Sequence, residues 1–166
     1  MKARHSGWLV LLLFAAAFST VQLSGCPPCE GEGEGEGERD YREDMRDFVQ
    51  GIAAYARAAD ADFIVVPQNG EPLLTLNGTA AGQPHAAYIA AIDGQGREDL
   101  FYGFDNDNVA TPAAERNPML AMLDLAENHG VEALVTDYCS TQSYVDNSYA
   151  WNASHGFISL AANHRD

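Results

Sequence analysis

After the apolar pair Ala91 and Ile92, and before the run Leu100 to Tyr102, the sequence DGQGRED sets three carboxylates, an arginine and two glycines side by side. Three chemistries use such a set. Glycines between a strand and a helix start cradle phosphate on backbone amides. Acids at alternate positions over about a dozen residues bind calcium. A single acid at a strand end serves as general acid, base or nucleophile. The phosphate loop fits poorly, because the apolar LFYG follows at once where a helix should begin. Asp93, Asp99, Asp105 and Asp107 do not follow calcium-loop spacing. The reading that suits the residues best is a strand end presenting Glu98.

Asp137, directly after ALVT, is a second acid at an expected strand end. It suits a catalytic partner for Glu98 or an acceptor for a sugar hydroxyl, and equally an N-cap or loop acid. Gln68 and Asn69 carry amides that match sugar hydroxyls. Tyr102, Tyr138 and Trp151 offer faces on which sugar rings stack, or else fill partly buried core positions. His164 and Arg165 lie at the last strand end, His164 as a substrate contact or as an exposed terminal histidine. No cofactor is implied. The CPPC of Cys26 to Cys29 has no second pair, so no metal site is expected either, and Cys139 stands about 110 positions further on with no spacing that asks for a disulfide.

These residues must be held by elements, and the pattern supplies them from Asp40 onward. Met45, Phe48, Val49, Ile52 and Tyr55 share one face at helical spacing, with Arg42, Glu43, Arg46 and Asp47 opposite, which predicts an amphipathic helix ending near Ala59. Phe63 to Val66 reads as a strand stopped by Pro67, HAAYIAAI as a helix and DLFYG as a second strand. Thr111 and Pro112 signal a helix through Leu120, Leu123 and Ala126, closed by His129 and Gly130. EALVTDY is the third strand, Val145 to His155 a helix stopped by Gly156, and GFISLAA the fourth strand. Strands alternating with helices imply an α/β fold of parallel β/α repeats joined by right-handed crossovers. In such folds ligands gather at the carboxyl ends of the strands, where Gln68, Glu98, Asp137 and His164 fall.

The start of the chain has another character. Residues 1–25 combine Lys2 and Arg4 with the run WLVLLLFAAAF, as a secretory signal does, and LSGC is similar to the lipobox of bacterial lipoproteins, with Cys26 as the lipidated residue. Residues 26–39, centred on EGEGEGEGE, have no means of burying a core and read as a solvated tether. Without residues 1–25 the chain carries seven arginines against 24 acids. Such a balance repels nucleic acid and anionic lipid, so membrane attachment would come from the lipid anchor. The expected location is the outer membrane or cell surface of a bacterium, where the sequons at Asn77 and Asn152 are silent.

Five segments in order, REDMRDFVQGIAAYAR, DFIVVPQNGEPLL, YIAAIDGQGREDLFYG, ALVTDYCS and GFISLAANHR, resemble the second half of the glycoside hydrolase family 114 barrels, the endo-α-1,4-polygalactosaminidase-like group. The resemblance covers nearly all of residues 41–166. It implies about half of a TIM (β/α)8 barrel in a secreted glycosidase that cuts galactosamine-containing polysaccharide. Such an enzyme uses two carboxylates. In the family one follows the fourth strand, and another lies in the segment matched by GQGRED, where Glu98 stands. The expectation is thus a chain that lacks the first half of the barrel and its acid, with Asp137 as substitute partner. Two copies, or a separate first-half polypeptide, would then complete the site. The alternative is a non-catalytic carbohydrate-binding lipoprotein or gene remnant.

Overall fold

A computed structural model describes residues 39–165. The expected signal segment 1–25, the lipidation candidate Cys26 and the tether up to residue 38 lie outside the described residues. Helix α1, Tyr41–Ala59, opens on Asp40, whose side chain accepts hydrogen bonds from the Arg42 and Glu43 backbone amides at 3.0 and 3.2 Å. Carboxylate capping of this kind fixes the first turn.

The face that α1 turns to the protein body is not the expected one. Arg46 and Ala53 are buried, while Met45, Phe48, Ile52 and Tyr55 point outward; of the apolar set only Val49 packs on the core. The cause is hydrogen bonding. Arg46 donates to the Leu73 carbonyl at 2.9 Å, the Thr75 carbonyl at 2.5 Å and the Glu43 carboxylate at 2.6 Å. Arg42 donates to the Leu76 carbonyl, and Arg57 to the Phe63 carbonyl and Asp93. Loop carbonyls that could not otherwise be buried find their donors on this helix.

A parallel sheet follows, with β1 (Gly94–Glu98), β2 (Glu132–Tyr138) and β3 (Ile158–Ala162) in that spatial order. Gly94 lies opposite Glu132, Glu98 opposite Thr136, and Thr136 opposite Leu160. Short α2 (Ala86–Ala91) leads into β1. Helices α3 (Ala113–Asn128) and α4 (Gln142–His155) carry the chain between parallel strands. Gly156 stops α4 in the left-handed region at φ 86°, where only glycine sits without strain.

Two expected strands are corrected. Phe63 to Val66 is not a regular strand. The run from Val65 to Asn69 does lie parallel to β1, through Asp93 and Gly96 amides donating to the Val65 and Pro67 carbonyls and a bridge between Gln68 and Gly96. It forms no full ladder, because the Val65 amide donates instead to the Asp93 carboxylate at 2.7 Å and Pro67 has no amide hydrogen. The second strand is Gly94–Glu98, not DLFYG. Asp99, at φ 64°, turns the chain out of the strand, and Leu100 to Tyr102 continue as buried irregular chain. Glycine disfavours strands, but a Cβ on Gly94 would stand 2.8 Å from the Leu134 side chain, so close packing requires it.

One side of the sheet is covered. Ala133 and Val135 pack with Leu100, Phe101, Leu123 and Phe157 in one core, and Val65, Leu74, Tyr88, Ile92, Met122 and Ala126 form another toward α1 and α2. The other side is open, with Ile158 and Leu160 exposed on β3. Replacing Arg46 by leucine is expected to cost about 3 kcal/mol by withdrawing donors from the Leu73 and Thr75 carbonyls. A lower urea midpoint at unchanged m-value would register the loss.

Candidate functional site

Side chains alternate along β2, so Asp137 and Tyr138 leave the same strand end on opposite sides. Tyr138 goes to the open side. Its hydroxyl donates to Glu98 Oε1 at 2.9 Å. Glu98 is the last residue of β1, and its own amide donates to Asn69 Oδ1 at 3.1 Å. Asn69 takes the left-handed region at φ 55°, a conformation that asparagine tolerates better than most residues. Gln68, exposed beside it, lays its side-chain amide over Gly96. Glu98, Tyr138, Asn69 and Gln68 are thus brought together at the carboxyl ends of the strands.

Burial, and then the Glu98 carboxylate that its hydroxyl contacts, push the Tyr138 phenol up to about 12. The phenol therefore stays protonated and donates to Glu98 throughout the ordinary pH range. Arg165 lies with its guanidinium carbon 4.5 Å from the centre of the Tyr138 ring. It also contacts the Asp99 carboxylate and the Gly103 carbonyl, and reaches Asp107 Oδ1 at 3.3 Å. Burial raises the Asp99 carboxyl above the usual range, against the Arg165 charge that lowers it. Arg165 had only its position at the last strand end to mark it in the sequence; its partners lie near residues 100 and 107, too far along the chain for any pattern to show.

Asp137 goes to the covered side and is fully buried. Its Oδ1 accepts from the Phe101 and Tyr102 amides at 2.8 and 3.2 Å, and its Oδ2 from Ser148 Oγ at 2.6 Å and Asn152 Nδ2 at 3.2 Å. Both oxygens are occupied by the protein's own donors, so this carboxylate is a structural hub with no face toward a substrate. Tyr102 is also buried, its ring stacked on Tyr144 at 4.8 Å and on Trp151 at 5.9 Å, which leaves no ring face for a sugar. His164 is exposed at the rim, next to Arg165.

A groove of about 490 Å³ continues from Gln68 and Asn69 across Pro67, Pro72 and Leu73 to Tyr41 and Met45 of α1. Behind β1, Arg97 pairs with the buried Glu71 at 3.5 Å, and burial holds the Glu71 carboxyl above its usual range. That pair braces the strand from the side away from Glu98. Among the described residues no group of three or more His, Cys, Asp or Glu is placed to hold a metal ion. None of the described helices is long and apolar enough to cross a membrane.

No family model matches the chain. Over 98 residues, 58% of the chain, it is 33% identical to the uncharacterized protein MJ1477 of Methanocaldococcus jannaschii, and it spans 25% of that protein's length.

Two measurements check this geometry. Asp137→Ala strands two buried amides and two side-chain donors, and is expected to cost about 4 kcal/mol in a denaturant titration, with Asp137→Asn milder. In Glu98→Gln the Tyr138 ionisation should fall below about 12, read as the phenolate absorbance that Tyr138→Phe removes. No change in that titration would mean that the two side chains do not meet in solution.

Proposed function

We propose that residues 40–166 are half of a (β/α)8 barrel of the glycoside hydrolase family 114 type, and that Glu98 is one catalytic carboxylate in cleavage of galactosamine-containing polysaccharide. The observation that carries this reading is the placement of Glu98. It is an acid at the carboxyl end of a parallel strand, on the open side of the sheet, aimed by a phenol that stays protonated and flanked by the exposed amides of Gln68 and Asn69. Position at strand carboxyl ends is where barrel enzymes keep their reacting groups.

Glycosidic hydrolysis needs a second carboxylate across the bond. Asp137 is withdrawn from that role by its four donors, and Asp99 is engaged by Arg165. The second acid then comes from a completing half, either a second copy or a separate first-half polypeptide. Glu98 serves as nucleophile or base, with the Tyr138 hydroxyl holding the carboxylate in position. Gln68 and Asn69 take sugar hydroxyls, His164 stands at the rim, and Cys26 carries the lipid that holds the exported protein at the bacterial membrane.

Among the described residues the neighbouring acids Asp99 and Asp137 are already engaged, which favours one further reading, a non-catalytic carbohydrate-binding lipoprotein. Turnover of a deacetylated galactosamine polymer separates the two. Catalysis predicts chain shortening by the wild type that falls by at least about a thousandfold in Glu98→Gln. A folded wild type that binds the polymer without cutting it would transfer the assignment to the binding module.

A further inference from the structure

The outward face of α1 carries Tyr41, Met45, Phe48, Ile52 and Tyr55 at spacings of four, three, four and three, the seam of a helix that packs on another helix. All five are exposed, Phe48 by 62% and Tyr55 by 84%. Soluble surfaces seldom present an apolar ridge as continuous as that of Met45, Phe48, Ile52 and Tyr55. Beside it sits Gly51, in mid-helix, where glycine weakens a helix. A Cβ there would meet nothing within 4 Å, so no contact among the described residues accounts for the glycine. It accounts for itself if another helix comes close at that point.

The arrangement of side chains identifies the occupant. All acids of α1, together with the cap, lie in its first half: Asp40, Glu43, Asp44 and Asp47. From Phe48 to Ala59 there is no acid and there is one arginine, Arg57. A second α1 running parallel would set acids against acids, whereas an antiparallel one sets each acidic half against an acid-free half. With a two-fold axis beside Gln50 and Gly51, the layers become Met45 on Tyr55 of the second copy and Phe48 on its Ile52, each repeated by symmetry. Every layer then joins one aromatic ring to one aliphatic or thioether side chain. The Tyr55 ring of the second copy, beside Met45, also reaches the groove formed by Tyr41, Met45 and Leu73.

We propose that two copies of this chain associate through α1, packed antiparallel about a two-fold axis beside Gly51. The association holds whether Glu98 is catalytic or only binds sugar. One helix pair is a small interface, so the dimer is a weak one that dissociates on dilution. The chain's net charge of −15 opposes it, so raising salt from about 0.05 to about 0.5 M tightens it.

Residues 40–166 contain both cores and all the described elements, forming a compact unit, and serve for the test. Sedimentation velocity between about 1 and 300 µM should show conversion from one to two chain masses, sharper in high salt. Phe48→Glu, at a site outside both cores, should weaken association at least thirtyfold with an unchanged circular dichroism spectrum. Gly51→Leu separates interface from fold, since it should raise the melting temperature of the monomer yet weaken the dimer. Leu160→Glu, on the open sheet, should leave the association constant alone. A wild type that remains monomeric over this range overturns the proposal and assigns the ridge to a different polypeptide. So does a dimer that survives Phe48→Glu, or one that Leu160→Glu abolishes.

Discussion

Asp137 is a carboxylate in the interior that makes no salt bridge among the described residues, and its four hydrogen bonds come from two parts of the chain. An interior charge is tolerated only when such donors replace water. Here they are two backbone amides of the irregular run after β1 and two side chains of α4. The same contacts therefore fix how the chain leaves β1 and how α4 lies on the sheet. Cys139, two residues on, shows the field this creates: burial first, and then the Asp137 charge, push its thiol up to about 11. Because neighbours on a strand face opposite ways, anchoring Asp137 inward also aims Tyr138 outward at Glu98. The candidate site is thus positioned from behind.

Arginine plays the corresponding part at the other edge. Arg42, Arg46 and Arg57 hold α1 by binding carbonyls of the segments between residues 63 and 76. That leaves the apolar ridge of α1 turned outward and one side of the sheet open, with Ile158 and Leu160 in solvent. The 127-residue region described by the structure buries two modest cores, yet keeps two apolar surfaces for contacts of another kind.

Much of this was legible in advance where local rules govern. The ends of α1, the strand EALVTDY and the Gly156 stop follow from spacing, β-branched residues and glycine's conformational freedom. The misses arose where distant partners decide. The second strand, expected at DLFYG, lies at GQGRE instead, where the Leu134 side chain and the Glu132 backbone oxygen approach Gly94 so closely that a Cβ would crowd them. The apolar face of α1 reads as the core face, and is overruled by carbonyls about thirty residues away that need Arg46. Position at a strand end put Glu98 and Asp137 forward together, since sequence spacing gives no sense of which side of the sheet an acid faces. Glu98 follows Thr136 and Tyr138 on the open side, while Asp137 follows Val135 to the covered one.

Asn152 belongs to the hub as well, buried and donating to Asp137 and to the Ser148 carbonyl. It is also the asparagine of an Asn-Ala-Ser acceptor sequence. In a bacterium that coincidence has no effect. In a eukaryotic secretory pathway, oligosaccharide is added to the unfolded chain, before α4 docks. A glycan on Asn152 would remove one of the hub's donors and hold the helix away from the sheet, so the same gene would yield folded protein from one kind of host and a trapped, unfolded glycoprotein from the other.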